Sequence, residues 1–366
     1  MTENPDFLTK QIITYIGNKR ALLADIGEQV QAVQKALGKR RLVCADLFSG
    51  SGIVARFLKQ FSKKIFANDL EEYSFILNDC YLTNAKAFPQ AEYTAARERI
   101  LARAQKEEKT GVIAQNYAPK DDDSIKAGER VFYTRQNALL LDTYRLLIEE
   151  ECSSSVKNFF LAPLLVEASV HVNTSGVFKG FYKDKNTGIG SFGGAGKDAL
   201  KRILGKVELN APIFSRFDCE RELFMEDAEK LAAKLRGLDL AYLDPPYNQH
   251  PYGSNYFMLN VLAKNKIDAE LSPVSGIVQN WKRSQFNKAR LALASLERTV
   301  AALDAKFVIV SYNSEGFITL AQMQEMLSRY GSLKTVEIPY NTFRGSRNLS
   351  GRDIHVREYL FVLRKD

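Results

Sequence analysis

Four consecutive residues, Asp244-Pro245-Pro246-Tyr247, carry the side chains with the clearest chemical potential in this chain. They follow Leu238 to Leu243, an apolar run with one Asp that is long enough for a buried strand. The two prolines lack N–H donors and have a fixed φ, so they end the strand and stiffen the turn after it. The turn therefore presents a carboxylate, rigid carbonyls and a flat ring to the crevice expected at the carboxyl end of a strand.

This set of groups suits a planar molecule that bears an exocyclic amino group. Ionised Asp244 only accepts hydrogen bonds, and a proline carbonyl supplies a second acceptor for the other N–H. The ring of Tyr247 can stack on the plane of such a molecule. A surface Pro-Pro turn with Tyr247 packed on the core is the alternative, and these four residues alone leave it open.

A second segment has the pattern of a nucleotide-binding turn. Arg41 to Phe48 is a strand candidate, Ser49-Gly50-Ser51-Gly52 follows it, and Ile53 to Phe61 has a helical pattern. The third glycine of the dinucleotide fingerprint is missing, which argues against a nicotinamide dehydrogenase. The next strand candidate ends at Asp69, 17 residues after Gly52 and near the distance at which an acid commonly meets ribose hydroxyls. Together these features favour a nucleoside-containing cofactor over a purely structural turn.

Length, charge and cysteine content narrow the class of protein. The 366 residues suit one large domain or two of modest size, and the net charge of +8 favours a polyanionic partner. Four scattered cysteines without a C-x-x-C pair, and only three histidines, argue against a zinc site and against a disulfide framework. The sequence has neither a signal-peptide pattern nor an apolar run of bilayer length. We therefore expect a cytoplasmic protein with no metal and no membrane partner.

Residues 88–222 interrupt the α/β rhythm and are predicted to form an insertion. Within it, residues 171–206 are rich in glycine, lysine and aromatic residues, and two short aromatic runs flank Asn186-Thr187-Gly188. This pattern predicts a hairpin with a basic tip. Basic residues interleaved with aromatics suit phosphate contact and base stacking, so we expect DNA contacts from three lysines, Lys179, Lys183 and Lys185. A solvated glycine-rich loop is the alternative.

The α/β pattern resumes near residue 224 and continues to the end of the chain. Trp281 to Leu303 has a helical pattern, and Lys306 to Asn313 is a buried strand candidate. Lys334 to Pro339 and Arg357 to Arg364 are predicted to pair as antiparallel strands. Their connection carries three arginines within residues 343–352 and no acid there, so it is expected to close over a substrate phosphate through residues such as Arg344 and Arg347. A solvated loop is the alternative.

Three short patterns occur in a fixed order, Tyr15-Ile16-Gly17-Asn18-Lys19, Asp46 to Gly52, and Asp244 to Tyr247, with the insertion between the second and the third. Together they resemble the signature of DNA adenine-N6 methyltransferases of the alpha class, the Dam-like group. The resemblance implies an α/β fold: a Rossmann-like methyltransferase sheet, mostly parallel with an antiparallel C-terminal strand, plus an inserted DNA-recognition domain. Residues 1–87 and 223–366 would form the catalytic domain, and residues 88–222 the target-recognition insertion.

The resemblance also implies roles for individual residues. Asp244, Pro245, Pro246 and Tyr247 would be catalytic. S-Adenosyl-L-methionine would be the cofactor, with Asp69 at its ribose and Asp227 at its adenine. The full set of expected cofactor contacts is Tyr15, Gly17, Lys19, Asp46, Phe48, Gly50, Gly52, Asp69 and Asp227.

An enzyme of this kind would flip an adenine out of double-stranded DNA and methylate its N6 amino group within a specific sequence. Membership of a restriction-modification system, with a cognate restriction endonuclease encoded nearby, is a further expectation. Methylation of RNA adenine or of a protein glutamine amide is an alternative, because the same acceptor geometry serves any planar NH2 group. A DNA-binding module with a purely structural nucleotide fold is another, although Asp244, Asp69 and Gly50 argue against it.

Overall fold

The computed structural model describes residues 2–194, 196–341 and 355–366. Within these ranges, seven strands form one mixed sheet in the order β3-β2-β1-β4-β5-β7-β6. The strands are β1 Leu42–Asp46, β2 Ser62–Asn68, β3 Glu220–Phe224, β4 Leu238–Leu243, β5 Ala305–Asn313, β6 Gly331–Asn341 and β7 His355–Lys365. Neighbours from β3 to β5 are parallel, whereas β7 is antiparallel to both β5 and β6. The predicted Rossmann-like sheet with an antiparallel C-terminal part is thereby confirmed.

The order of the strands reverses between β1 and β4. Strands β2 and β3 lie on one side of β1, whereas β5 lies on the opposite side, beyond β4. In open α/β sheets such a reversal leaves a crevice outside the carboxyl ends of the two central strands. Asp46 ends β1 and Asp244 follows β4, so both acids lie at this crevice.

Helices cover both faces of the sheet and build a layer beside it. They are α1 Pro5–Thr9, α2 Leu23–Leu37, α3 Ile53–Leu58, α4 Glu72–Tyr81, α5 Gln90–Ala104, α6 Val112–Asn116, α7 Arg135–Glu151, α8 Lys157–Val170, α9 Leu200–Leu204, α10 Ala228–Ala232, α11 Tyr252–Asn255, α12 Phe257–Lys264, α13 Ala289–Ala302 and α14 Leu320–Ser328. No helix among the described residues is long and apolar enough to cross a membrane.

Alternating side chains of the central strands belong to two separate hydrophobic cores, one on each face of the sheet. In β5, Phe307 and Ile309 pack on the face covered by α2 and α3, whereas Val308 and Val310 pack on the face covered by α13 and α14. Each fully buried aliphatic side chain contributes about 1.5–3 kcal/mol relative to an exposed one. Because the strand is buried on both faces, its position in the sheet is strongly fixed.

Residues 88–222, the predicted insertion, share a third core with other parts of the chain. Ile100 of α5 and Phe160 of α8 belong to one buried cluster with Tyr81 of α4 and Leu262 of α12. The insertion is therefore fused to the sheet layer by apolar packing. The predicted boundary between residues 222 and 223 falls inside β3, and the division of the chain into these parts stays a prediction.

The predicted helix from Trp281 to Leu303 is shorter in the structure, where α13 begins only at Ala289. Ser284 and Asn287 instead form a capping box around a 3-10 turn, in which each side chain bonds the backbone N–H of the other end. Such local bonds offer the backbone an alternative to the helix. The residues before Ala289 are thereby free to line the crevice.

Candidate active site

Strand β4 carries Asp244 to the crevice. All six residues of β4 are buried, and the Asp244 side chain beyond them is about one-fifth exposed (20%). Pro245 is buried, and Pro246 lines an open cleft of about 810 Å³ between the ends of β1 and β4, called the central cleft below.

The glycine turn after β1 forms the facing wall of the central cleft. Gly50 and Gly52 have φ of +50° and +76°, and a Cβ on Gly50 would lie 2.9 Å from Cε1 of Tyr15. Only glycine takes up this conformation without strain and permits so close a contact. Gly50 lines the cleft. Gly52 is the N-cap residue of α3, lies beside the side chain of Asn78 and is not among the lining residues.

Asp69, directly after β2, holds the turn in place. Its Oδ2 accepts the backbone N–H of Gly50 at 2.8 Å, and its Oδ1 accepts that of Glu71 at 3.0 Å. Burial raises the pKa of Asp69, and the hydrogen bonds from these N–H groups act in the opposite direction. The carboxylate lines the cleft and retains lone pairs for further donors.

Asp46 forms the floor of the cleft and is almost fully buried. Its Oδ1 accepts the N–H of Phe48 at 3.3 Å, whereas Oδ2 has no hydrogen-bond partner among the described residues. Burial, reinforced by the negative charge of Asp244, raises the pKa of Asp46 to about 8. Without a ligand this carboxyl keeps its proton near neutral pH, and a cationic donor from a bound molecule would favour its ionised form.

An aromatic cluster closes one side of the cleft. Tyr15 stacks on Tyr252 with ring centroids 4.9 Å apart and on Tyr256 at 4.5 Å. The hydroxyl of Tyr15 lies 3.2 Å from that of Tyr73. Gly17 follows, with a positive φ of +73°, and packs close to the hydroxyls of Tyr247 and Tyr252. Tyr15 and Gly17 therefore both line the wall of the cleft, and their contact with the cofactor stays a prediction.

Lys19 lies behind Asp244 and is almost fully buried. Its Nζ is 3.3 Å from Oδ1 of Asp244 and 3.2 Å from Oε2 of Glu358, which is also buried. Burial alone would lower the pKa of Lys19, but the two carboxylates outweigh it and hold the pKa above its usual value. Lys19 is therefore a fixed positive charge at the carboxyl end of β4.

Tyr247 stands at the margin of this arrangement. Its half-buried ring packs edge-to-face on Tyr312 with centroids 6.3 Å apart, and its carbonyl accepts the N–H of Phe317 at 3.2 Å. Burial raises the pKa of Tyr247 to about 12, so the hydroxyl stays protonated at neutral pH. The ring is thus held by its neighbours at the end of the Asp-Pro-Pro-Tyr turn.

Comparison with known proteins decides the family. Residues 15–326 match the model of the D12 class N6 adenine-specific DNA methyltransferases, which covers most of the chain. The chain belongs to this family. The expected adenine-specific DNA methyltransferase activity is thereby supported, whereas the alpha-class assignment stays a prediction.

Curated relatives align over nearly the whole methyltransferase. Type II methyltransferase M.NlaIII of Neisseria lactamica is 28% identical over 363 residues, which cover 96% of this chain and 99% of that protein. Type II methyltransferase M.CviAII of Paramecium bursaria Chlorella virus 1 is 30% identical over 361 residues, with 96% and 98% covered. Type II methyltransferase M.FokI of Planomicrobium okeanokoites is 26% identical and matches 96% of this chain but 52% of its own length.

Methyltransferases of this family use S-adenosylmethionine, and the central cleft fits it. The unpartnered Oδ2 of Asp46 suits the ammonium group of the methionine part, and the acceptor oxygens of Asp69 suit hydroxyls. The glycine turn leaves room for the ligand to approach the backbone, which a side chain on Gly50 would fill. Phe48, which packs edge-to-face on Phe286 at 5.1 Å, adds an apolar wall.

One predicted cofactor contact of the methyltransferase also has a structural role, and its contact with the cofactor stays a prediction. Asp227 is the N-cap of α10, where its Oδ1 accepts the N–H groups of Glu229 and Lys230 at 3.1 and 3.2 Å. The residues on either side of it, Glu226 and Ala228, line the central cleft, and Asp227 is not among the lining residues. An acid before a helical pattern is as typical of a helix cap as of a ligand contact, and the sequence does not separate the two.

Several cleft residues were not anticipated from the sequence. Lys282 reaches across the mouth of the cleft to donate to the carbonyl of Leu70 at 2.7 Å. Asn287 also lines the cleft and donates to the carbonyl of Asn248 at 3.0 Å, next to the catalytic turn. The polar Ser284-x-x-Asn287 spacing was the available signal, because it is typical of a cap rather than of a helix interior.

The predicted DNA-contacting lysines lie on or beside a hairpin. A bridge between Lys183 and Gly190 forms this hairpin, whose exposed tip contains Lys185. The ammonium of Lys183 lies 5.2 Å from the Phe181 ring centroid. Lys179 is half-buried, with Nζ 3.1 Å from Nδ1 of His250. The predicted hairpin is confirmed, whereas Arg344 and Arg347 lie outside the described residues.

Proposed function

We propose that this methyltransferase modifies adenine within a specific sequence of duplex DNA, with the target base turned out of the helix into the central cleft beside Asp244. The observation that carries the proposal is that Asp244, after β4, and the glycine turn, after the adjacent parallel strand β1, line the same cleft. A methyl donor on the glycine turn would therefore lie next to an amino group held by Asp244. Much of the rate enhancement would come from this positioning.

Asp244 and Pro245 have complementary roles in activating the amino group. The N6 lone pair of adenine is delocalised into the ring, so the neutral amino group is a weak nucleophile. The Asp244 carboxylate and the Pro245 carbonyl accept its two hydrogens, which favours a tetrahedral nitrogen and frees the lone pair. S-Adenosylmethionine, when bound, supplies an electrophilic methyl group on a sulfonium. The acceptors, fixed in advance by the buried strand and the two prolines, stabilise the positive charge that develops on N6. Transfer would leave a neutral thioether, and the Asp244 carboxylate is placed to take the proton that N6 must then lose.

Tyr247 and Pro246 are assigned to the base itself. An adenine in a duplex must leave the stack before its N6 group can reach a cleft, and flipped bases are commonly held by aromatic stacking. The ring of Tyr247 is anchored by Tyr312, and Pro246 lines the cleft beside Asp244. Both side chains can therefore border the plane of the base without large rearrangement.

We assign target recognition to residues 88–219, with Lys179, Lys183 and Lys185 as phosphate contacts. A second hairpin, bridged by Leu271 and Val278, supports this face, because Ser275 Oγ donates to the Lys179 carbonyl at 2.7 Å. Val274 at its tip is 60% exposed. Exposed apolar side chains beside basic residues are used by other proteins to enter base steps. The second hairpin is therefore included in the proposed DNA-contacting face.

The classification of the relatives as Type II methyltransferases supports a role in a restriction-modification system. M.NlaIII and M.CviAII are Type II methyltransferases, which belong to restriction-modification systems. We propose that this chain serves such a system and has a cognate restriction endonuclease encoded nearby. A cytoplasmic location accords with action on DNA and with four cysteines that are all free.

The test is transfer of a labelled methyl group from S-adenosylmethionine to plasmid DNA prepared from a host without adenine methylation. We expect Asp244→Ala to lower the rate by a factor of about 100 or more. Asp218→Ala is the matched control, because it removes a surface acid that is ion-paired with Lys86, next to the opposite end of the sheet. Wild-type transfer by Asp244→Ala would refute the assigned role.

The same assay separates the alternative substrates. Parallel reactions receive DNA, RNA of the same sequence and a glutamine-containing peptide at equal concentrations. We expect label in DNA above the other two. Faster labelling of RNA or of the peptide would replace the DNA proposal, and single-molecule sequencing of DNA from expressing cells would then show no modified adenine.

A further inference from the structure

Glu358, on the last strand of the sheet, belongs to a buried group of three charges at the catalytic turn. It is 3% exposed, and its Oε2 lies 3.2 Å from Nζ of Lys19. The same Nζ lies 3.3 Å from Oδ1 of Asp244. Lys19 is therefore shared between two carboxylates, one that faces the central cleft and one that does not line it.

The fold fixes Glu358 from two sides. Its Cα pairs with that of Asn313 in the β5–β7 ladder, and its Oε1 accepts the Asn313 side-chain amide at 3.0 Å. On the other side, β6 covers β7 with Ile338 opposite Glu358. Lys19 comes from the N-terminal segment, 339 residues away in sequence. Three distant segments thus meet at one buried ion group, which strand propensity alone would not require.

The charges of this group do not cancel. Asp244 and Glu358 contribute −2 and Lys19 contributes +1, which leaves −1 when all three are ionised. If Lys19 neutralised Asp244 alone, the net charge at the strand end would be zero. A carboxylate compensated by its own lysine is a weaker partner for the positive charge that develops on the target nitrogen.

We propose that Glu358 is a positioning residue. Because Glu358 and Asp244 share the ion pair with Lys19, the Lys19 charge compensates Asp244 only in part, and a net negative charge faces the amino group of the target base. The inference rests on the proposed role of Asp244. Glu358 acts through Lys19 and does not itself contact the substrate. Its own burial is tolerated because Lys19 and Asn313 satisfy it.

The titration of Asp244 responds to the same charges. Burial raises the pKa of Asp244 to about 7, Lys19 acts to lower it, and Glu358 acts to raise it. Asp244 must be ionised to accept the N–H of adenine, so the rate falls on the acid side as Asp244 becomes protonated. Removal of the Glu358 charge lowers the pKa of Asp244 and moves that acid limb to lower pH. Other titratable or polar groups around this trio include Tyr242, Tyr247, Tyr252, Asp46 and Asn313.

The experiment measures single-turnover methylation of plasmid DNA between pH 5.5 and 9 for wild type and Glu358→Gln, which keeps the shape and removes the charge. We expect the plateau rate to fall about tenfold or more and the acid limb to move down by roughly one pH unit. The affinity for S-adenosylmethionine, from calorimetry, should change less than threefold. An acid limb at the wild-type position would overturn the proposal, whatever the plateau rate.

Glu337→Gln is the matched control. Glu337 lies on the neighbouring strand β6 and forms an exposed ion pair with Arg357 at 2.7 Å, so its neutralisation removes the same charge outside the buried group. We expect its pH profile to match that of wild type. A Glu337→Gln profile that shifts as far as that of Glu358→Gln would assign the effect to net charge and overturn the proposal.

Asn313→Ala gives a second test if Glu358→Gln melts below the assay temperature. It removes the donor that holds Oε1 of Glu358, and we expect a lower maximal rate with unchanged KM for S-adenosylmethionine. A wild-type maximal rate would overturn the proposal. Asp244→Ala is run alongside: if it retains activity, the proposed function fails, whereas an inactive Asp244→Ala with an unaltered Glu358→Gln refutes only the role of Glu358.

Discussion

The carboxylate of Asp69 accepts the backbone N–H of Gly50 at 2.8 Å, which ties the acid after β2 to the glycine turn after β1. The bond holds Gly50 at a φ of +50° and faces Asp69 toward the central cleft. Two neighbouring strand ends therefore form one rigid surface. On the proposed function, the ribose and methionine parts of the cofactor would lie along this surface.

Gly50→Ala is expected to weaken cofactor binding through a steric conflict. The new Cβ would lie 2.9 Å from Cε1 of Tyr15, which is held by stacking on Tyr252 and Tyr256. We expect affinity for S-adenosylmethionine, measured by calorimetry, to fall about tenfold or more. The left-handed backbone should also cost about 1–2 kcal/mol of unfolding free energy.

Gly38→Ala is the control for this backbone effect. Gly38 ends α2 with a φ of +61°, and no atom lies within 4 Å of a Cβ built on it. We expect a similar loss of stability with unchanged cofactor affinity. Equal affinity of the Gly50 and Gly38 variants would contradict the predicted steric conflict.

Asp46→Asn is expected to stabilise the ligand-free protein at alkaline pH. Burial raises the pKa of Asp46 from 3.8 to about 8, so the unfolded chain releases this proton near pH 4 while the folded protein keeps it. Asp46 therefore makes the fold less stable as pH rises between these values. The difference in melting temperature between Asp46→Asn and wild type should increase from pH 5 to pH 8. The variant should also bind the cofactor less tightly than wild type does.

Asp218→Asn serves as the comparison in this melting series, because it removes an exposed acid. Its melting temperature relative to wild type should show no comparable rise with pH. A constant difference for Asp46→Asn across pH 5–8 would show that Asp46 is already ionised in the folded protein.

Tyr247→Phe and Tyr247→Ala should separate stacking from hydrogen bonding. Phenylalanine keeps the ring, so we expect most of the activity to remain, whereas alanine should cost about 1–3 kcal/mol of base stacking. Once single-molecule sequencing has identified the modified adenine, 2-aminopurine placed there reports flipping by fluorescence. Equal signals from the two variants would rule out a stacking role for the ring.

The double variant Lys183→Ala/Lys185→Ala tests the first hairpin as a phosphate-binding element. If both lysines contact phosphates, the slope of log K against log salt should fall in magnitude by up to about 2. Lys35→Ala is the control. Lys35 is exposed near the end of α2, beside the amino ends of the parallel strands, whereas Asp244 follows the carboxyl end of β4. An unchanged salt slope for the double variant would place the DNA elsewhere.

Local patterns in the sequence were sufficient to predict the strands and most of the residues that line the central cleft. The buried run before Asp244, the glycine turn after β1 and the acid after β2 each depend on neighbouring residues, because prolines, glycines and apolar runs act on the backbone nearby. The parallel arrangement then brings Asp46, Asp69 and Asp244 to one edge of the sheet. Tyr15, Gly17 and Lys19 were placed by resemblance, and they line the same cleft.

Other features depended on contacts between distant residues. A glutamate within the predicted strand Arg357 to Arg364 gave no sign that it would share Lys19 with Asp244, because that contact joins residues 339 positions apart. Asp227 was expected to contact the cofactor on the strength of the resemblance, and the structure shows in addition that it caps α10. Residues 281–288 had helical spacing, but local caps kept them out of the helix and at the cleft. Sequence alone determined which groups lie at strand ends, and tertiary packing decided which of them share a charge, because electrostatic coupling depends on distance and burial.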